Sequence, residues 1–98
     1  MPSTMPTPTG SDAGRPRLAP HVRLAFDQAR QRYTLLTPEA VTLLNDTGAA
    51  ILELCDGRRT VAEILAELRS RYDHVDGDEV RAFLDGLAAR RRVEISRG

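Results

Sequence analysis

Lysine and tryptophan are absent from this chain of 98 residues, and cysteine occurs once, at Cys55. One cysteine excludes an internal disulfide and cannot build a cysteine-based metal site. Without lysine, 14 arginines alone balance 14 aspartates and glutamates, so the formal net charge is zero. Proteins that bind nucleic acids usually carry a basic excess, because phosphate neutralisation supplies much of their affinity. The charge balance therefore disfavours that class.

Long apolar runs are also missing. No stretch approaches the roughly 18 apolar residues that a membrane-spanning helix needs, and the first residues lack the charged-then-apolar layout of a secretory signal. We therefore expect a cytoplasmic protein with no membrane partner. The length allows one domain with a modest core.

The N-terminal segment differs in composition from the rest of the chain. Five of the six prolines lie within the first 20 residues, among Thr, Ser, Gly and Ala. Such a segment lacks the apolar residues that offset the entropy of ordering. We expect residues 1–15 to form a disordered tail and residues 16–98 to form the folded domain.

From residue 21 onward, apolar residues alternate with polar ones, which predicts half-buried strands. The predicted sheet has three antiparallel strands, over residues 22–26, 32–35 and 41–44, with a polar hairpin loop at 27–31. Pro38 and the brevity of the third strand indicate an edge position, so its outer backbone groups are expected to be unpaired. Val93 and Ile95 can add a terminal strand.

Three amphipathic helices are predicted between these strands and the C-terminus. Asp46 or Thr47 is expected to cap the first helix, and Gly57 to supply the left-handed residue that ends it. Thr60 and Glu63 form a capping box for the second. The corner between these two helices is typical of a helix-turn-helix. The fold class is therefore α+β and winged-helix-like, with a small antiparallel three-stranded sheet followed by a three-helix bundle.

The sequence offers little for catalysis. The two histidines, His21 and His74, have no Ser, Cys or carboxylate partner at a motif spacing, and no glycine loop or metal-ligand cluster is recognisable. Cys55 lies on the apolar face of the first helix, which indicates a buried small hydrophobic residue rather than a reactive thiol. We predict a protein that is not an enzyme and needs neither metal nor cofactor.

Two features of the predicted surface can serve a binding partner. The third strand (Val41, Thr42, Leu43 and Leu44) offers unpaired N–H and C=O groups to an extended peptide. The third helix, which starts at Asp76, has a shoulder beside its core-facing Val80, Phe83 and Leu87. The shoulder consists of Gly77, Arg81, Leu84, Asp85 and Ala88. A closed, fully packed helix without a groove is an equally open alternative.

Several short segments, in this order, carry a resemblance to a known family. They are Pro16-Arg17-Leu18, Val22–Phe26, Tyr33-Thr34-Leu35-Leu36, Pro38-Glu39, Leu44-Asn45-Asp46-Thr47, Ile51-Leu52-Glu53-Leu54-Cys55-Asp56-Gly57 and Thr60-Val61-Ala62-Glu63-Ile64. From about residue 16 to residue 95, the chain resembles the pyrroloquinoline quinone (PQQ) biosynthesis protein D family, PqqD.

The resemblance implies a peptide chaperone that recruits a ribosomally made precursor peptide, PqqA, to a radical S-adenosylmethionine enzyme, PqqE. In that family the precursor adds as a strand beside the third strand and packs against the third helix. Carried over, the pairing edge is Val41, Thr42, Leu43 and Leu44, and the opposite wall is Arg81, Leu84, Asp85 and Ala88. The iron–sulfur chemistry belongs to the enzyme, and we expect a monomer or weak homodimer.

Two other classes of function remain open. A winged-helix DNA-binding transcriptional regulator is the main alternative, although the second helix presents Glu63 and Glu67 beside Arg69 on its outer face. Carboxylates there are repelled by a phosphate-lined groove, and we expect no nucleic-acid partner. A structural dimerisation module is the other class, and it predicts self-association without affinity for a peptide.

Overall fold

The computed structural model describes residues 12–96. Five strands and three helices follow one another along the chain, and their bounds are β1 Arg15–Leu18, β2 Arg23–Asp27, β3 Arg32–Leu36, β4 Val41–Leu43, α1 Asp46–Glu53, α2 Val61–Arg71, α3 Gly77–Ala89 and β5 Val93–Ser96. The predicted α+β class, with a small antiparallel sheet and three helices, is confirmed.

The strands form two antiparallel sheets. One has the order β2-β3-β4, as predicted, and the other pairs β1 with β5, so that the two ends of the described chain lie side by side. The possible terminal strand at Val93 and Ile95 is therefore present as β5. Its partner β1 was not predicted, because Pro16 obscures the alternating pattern over its four residues.

The segment before β1 belongs partly to the fold. Residues 1–11 of the expected tail lie outside the described residues. Within the described part, Gly14 is buried and its carbonyl accepts a hydrogen bond from the Val61 amide at 2.9 Å. The Asp12 carboxylate pairs with Arg81, with an Oδ1–Nε distance of 2.6 Å. Residues 12–15 thus pack on α2 and α3, and the boundary drawn after residue 15 falls inside the folded part.

The helix starts follow from capping side chains. Asn45 caps α1 by accepting the Gly48 amide at 2.7 Å, so the expectation of Asp46 or Thr47 was wrong by one or two positions. The capping box of Thr60 and Glu63 is confirmed: each side chain accepts the other residue's backbone amide. For α3, the Asp76 carboxylate accepts two amides of the first turn.

The residues after α1 join it to β1. Gly57 has φ +79°, the predicted left-handed conformation, but it lies beyond the helix end and donates its amide to the Pro16 carbonyl at 2.9 Å. Cys55 is buried, and its thiol donates to the Ile51 carbonyl at 3.3 Å. Burial raises the pKa of the Cys55 thiol to about 12. The prediction of a packed, unreactive residue fits this environment.

The core lies where the β2-β3-β4 sheet meets the three helices. Its most buried large side chains include Leu35 from β3, Leu52 from α1, Ile64 and Leu68 from α2, and Leu84 from α3. These positions hold α1 against β2 and β3 and leave β4 at the margin of the sheet. The packing thus fixes β3, and β3 in turn fixes the orientation of β4.

Candidate functional site

The outer edge of β4 has backbone groups without partners among residues 12–96. Thr37 and Ala40 exchange both backbone hydrogen bonds, and the Leu44 amide donates to the Tyr33 carbonyl. Hydrogen-bonded pairs alternate in an antiparallel ladder, so the next such pair between them is Leu35 with Thr42. The N–H and C=O groups of Val41 and Leu43 therefore point away from β3.

Side chains along β4 alternate between the two faces of the sheet. Thr42 lies opposite the buried Leu35 and shares its face, which is the face toward the helices. Val41 and Leu43 lie on the other face and are 61% and 42% exposed. The predicted edge strand thus presents two apolar side chains to solvent and one hydroxyl to the interior.

Leu44 does not continue this free edge. Its side chain is buried, its amide is already bonded to Tyr33, and its carbonyl accepts a hydrogen bond from Nη2 of Arg32 at 3.1 Å. Asn45 follows directly as the cap of α1. Of the four predicted edge residues, only Val41 and Leu43 have outward-facing backbone groups.

A cavity of about 340 Å³ begins where β4 leads into α1. It lies among the start of α1, the end of α2 and the first half of α3. Its floor is apolar and its rim is polar, and the lining residues are Asn45, Thr47, Gly48, Ile51, Leu68, Tyr72, His74, Val75, Asp76, Glu79, Val80 and Phe83. A cavity of this size accommodates a large apolar side chain.

Gly48 and Phe83 bring α1 and α3 together at this cavity. A methyl group built on Gly48 would lie 3.4 Å from the Phe83 ring, 3.8 Å from a Leu44 methyl carbon and 3.1 Å from the side-chain oxygen Oδ1 of Asn45. The Phe83 ring and the Leu44 side chain therefore both lie beside Gly48, and the tightest of these contacts is with the capping side chain of Asn45. Phe83 is only partly buried, whereas its neighbour Leu84 is 1% exposed.

The structure places the four α3 residues of the predicted wall elsewhere. Leu84 is in the core. Arg81 bonds Asp12 and Asp78, on the side of α3 that the N-terminal segment covers. Asp85 and Ala88 line a different cavity, bounded by His21 and β5. At 3.6 residues per turn, Arg81, Asp85 and Ala88 lie roughly 140–160° around the helix from Phe83. Neither the hydrogen bonds of Arg81 nor the cavity lined by Asp85 and Ala88 involves Val41 or Leu43.

Comparison with known proteins shows which family this chain belongs to. Residues 20–93 match the family model described as coenzyme PQQ synthesis protein D (PqqD). The chain belongs to the PqqD family. It is 43% identical over 83 residues to a protein named PqqA binding protein from Rhodopseudomonas palustris (strain BisB5), with 82% of this chain and 81% of that one covered.

A solved structure agrees in fold with this PqqD family member. The solution NMR structure of the PqqD truncation of Methylobacterium extorquens PqqCD matches with a TM-score of 0.64 and 42% identity, covering 81% of this chain and 87% of that chain. It is described as a functional, stand-alone recognition element for ribosomally synthesized and post-translationally modified peptides. The bifunctional coenzyme PQQ synthesis protein C/D of Methylorubrum extorquens is 41% identical over 90 residues, which cover 88% of this chain and 23% of that protein.

Arg92 is a feature of this PqqD family member that the sequence patterns did not reveal. It follows α3, and its Nη1 lies 3.5 Å from the Thr42 hydroxyl of β4. In the sequence it belongs to the run Arg90-Arg91-Arg92, which looks like a group of basic residues at the end of a helix. Only the fold brings it to a strand 50 residues earlier.

The described part of this PqqD family member has neither a cluster of metal-ligating side chains nor a membrane-spanning helix. Within residues 12–96, no group of three or more His, Cys, Asp or Glu side chains is arranged to hold a metal ion. Over the same residues, no helix has the length and apolar character to cross a membrane. His21 and His74 are exposed and line separate cavities.

Proposed function

We propose that this chain binds the PqqA precursor peptide by adding it as a strand to β4, and that it presents the bound peptide to the radical S-adenosylmethionine enzyme PqqE during PQQ biosynthesis. The main support is the outward-facing N–H and C=O groups of Val41 and Leu43. An extended peptide can satisfy both pairs of groups without disturbing the ladder to β3.

Backbone pairing alone does not give useful affinity. Four hydrogen bonds at about 1 kcal/mol net each supply about 4 kcal/mol, whereas micromolar binding needs about 8 kcal/mol. Full burial of one large apolar side chain contributes about 1.5–3 kcal/mol. The cavity beside Phe83 and Gly48 is the proposed place for such a side chain of the peptide, because its lining begins at Asn45, shortly after the end of β4.

The proposed binding surface therefore differs in part from the one expected from the sequence. Val41, Thr42 and Leu43 remain as the pairing edge, and Leu44 closes its end. On α3, Phe83 takes the place of Arg81, Leu84, Asp85 and Ala88, because its ring lies beside Gly48 at the start of α1.

Backbone NMR with a ¹⁵N-labelled chain and synthetic PqqA tests the proposal. We expect shifts concentrated at 41–44, Gly48 and Phe83. Hydrogen exchange gives a sharper readout: peptide binding should slow exchange of the Val41 and Leu43 amides. The Thr42 amide, already paired with Leu35, should change little. Shifts confined to Arg58, Arg59 and Arg69 would contradict strand addition.

Presentation to the enzyme needs a separate measurement. The chain should raise the affinity of PqqE for PqqA in a pull-down or titration, and it should do so only when PqqA occupies β4. A PqqE affinity for PqqA that is the same with and without this chain would exclude the presenting role.

DNA binding, the alternative open from the sequence, has a direct test as well. Arg59 pairs with Asp56 and Arg71 with Glu67, so the charge of each guanidinium is balanced by a neighbouring carboxylate. Glu63 stays at the start of α2 as part of its cap. Tight binding to duplex DNA that weakens steeply with salt would favour that alternative.

A further inference from the structure

The backbone of Arg92 is fixed on both sides by hydrogen bonds. Its amide donates to the Leu87 carbonyl at 2.9 Å, and the Arg91 amide donates to the Ala88 carbonyl at 3.0 Å. Arg91 has φ +63°, so these bonds form a Schellman turn that ends α3. The Arg92 carbonyl accepts the Ala19 amide at 3.0 Å. The guanidinium therefore extends toward β4 from a firmly held position.

The Arg92 guanidinium has only a weak partner within residues 12–96. Its contact with the Thr42 hydroxyl is long at 3.5 Å, and it forms no ion pair with any carboxylate there. Arg17 and Arg81, by contrast, pair with Glu94 and Asp12. A partly buried guanidinium that keeps its charge and most of its donors free favours an acidic partner from outside.

Strand addition to β4 determines which peptide residue meets this guanidinium. Peptide residues beside Val41 and Leu43 hydrogen-bond to the edge and direct their side chains to the outer face, next to two exposed apolar side chains. The peptide residue between them lies beside Thr42, and neighbouring residues of adjacent strands share a face. Its side chain therefore points to the inner face, where Arg92 contacts Thr42.

We propose, on the basis of the function proposed above, that Arg92 selects peptides with an Asp or Glu at the position beside Thr42, flanked by apolar residues beside Val41 and Leu43. The recognised segment has the pattern apolar, acidic, apolar. The carboxylate binds the guanidinium through charge-assisted hydrogen bonds, and the outer residues form apolar cross-strand pairs.

A double-mutant cycle with synthetic PqqA tests this assignment. Each Asp or Glu of the peptide is replaced singly by Asn or Gln, and Kd is measured by fluorescence anisotropy with the wild-type chain and with Arg92→Gln. One replacement should weaken binding to the wild-type chain by about tenfold. The same replacement should have no effect with Arg92→Gln. Arg90→Gln, which removes the same charge from the same helix end, should retain the full effect of the replacement.

Further variants keep the test independent of any folding defect. Arg92→Lys keeps the charge but loses the planar fork, and should show part of the coupling to the same peptide position. Arg92→Glu should bind best to a peptide with Lys at that position.

Each result separates the two proposals. If PqqA binds and slows exchange at Val41 and Leu43, but no acidic position couples to Arg92, the selectivity proposal is overturned and strand addition stands. Equal coupling to Arg90 and Arg92 would also overturn it, because the effect would then be one of general charge. If PqqA does not bind at all, both proposals fall.

Discussion

Proline substitutions at adjacent positions of β4 distinguish an N–H group on the free edge from one that bonds to β3. Leu43 directs its N–H away from β3, so proline at this position removes a donor that the fold does not use. Thr42 directs its N–H toward Leu35, so proline there removes a ladder hydrogen bond next to a residue that is 1% exposed. Adjacent substitutions in one short strand should therefore have opposite consequences.

The expected magnitudes follow from these two environments. Leu43→Pro removes one of four backbone bonds to a peptide and places ring carbons where the peptide carbonyl would lie. We expect PqqA affinity to fall by about 1–3 kcal/mol, roughly 5- to 150-fold, with little loss of stability. Thr42→Pro should lower the free energy of unfolding by about 3 kcal/mol, a large part of the roughly 5–10 kcal/mol typical of a domain of this size.

Isothermal titration with PqqA measures the affinity, and urea unfolding followed by circular dichroism measures the free energy of unfolding. Leu43→Ala is the matched control, because it removes the same side chain but keeps the N–H. Wild-type affinity for the Leu43→Pro chain would refute strand addition at β4. Equal destabilisation by Leu43→Pro and Thr42→Pro would refute the assigned alternation of hydrogen bonds.

Three further predictions concern the fold. Because burial raises the pKa of Cys55 to about 12, its thiol should react with a disulfide reagent at pH 8 no faster than the chain unfolds; rapid labelling of the native protein would contradict this. Arg91→Gly should raise the free energy of unfolding in urea by about 1 kcal/mol, because Arg91 has φ +63°, a backbone conformation that glycine adopts without strain. Arg90→Gly should lower it, because Arg90 has φ −89°. A gain in stability from both substitutions would contradict strain at Arg91. The pKa values of Asp56 and Glu63 are lowered, chiefly because their carboxylates accept backbone amides of Arg59 and Thr60. Both carboxylates bind protons more tightly in the unfolded chain, so stability should be full above about pH 4.5 and fall as the pH drops further; an unchanged urea midpoint at pH 3 would contradict this.

Features that depend on neighbouring residues were predictable from the sequence. The capping box needs only Thr60 and Glu63, three positions apart on one turn, so its geometry follows from helix formation alone. The N-terminal cap of α1 was harder to predict, because Asn45, Asp46 and Thr47 are consecutive and each has a side chain that can cap a helix. A shift of one residue in the helix start decides among them, and that start is set by the Leu44–Tyr33 hydrogen bond of the sheet.

Features that depend on distant packing were not predictable in the same way. Phe83 and Leu84 both belong to the apolar stripe of α3, about 100° apart on the helix. Which of them is buried depends on how the helix is rotated about its axis. That rotation is set by contacts remote in sequence, including the pairing of Arg81 with Asp12 and of β1 with β5. The sequence therefore predicted the amphipathic helix but not that Leu84 is the more buried of these two residues.

The length of the free edge bears on selectivity. An exposed strand edge pairs with any extended chain, including copies of itself. Here the Thr37–Ala40 pair closes one end of the edge, and the contact between Arg32 and Leu44 closes the other. The remaining four backbone groups supply about 4 kcal/mol, which corresponds to roughly millimolar affinity for a peptide of any sequence. Tighter binding must come from side chains beside the edge. The proposed cavity at Phe83 and the guanidinium of Arg92 lie on the helical side of β4, so α3 and its end, rather than the helix-turn-helix corner, should decide which peptide is held.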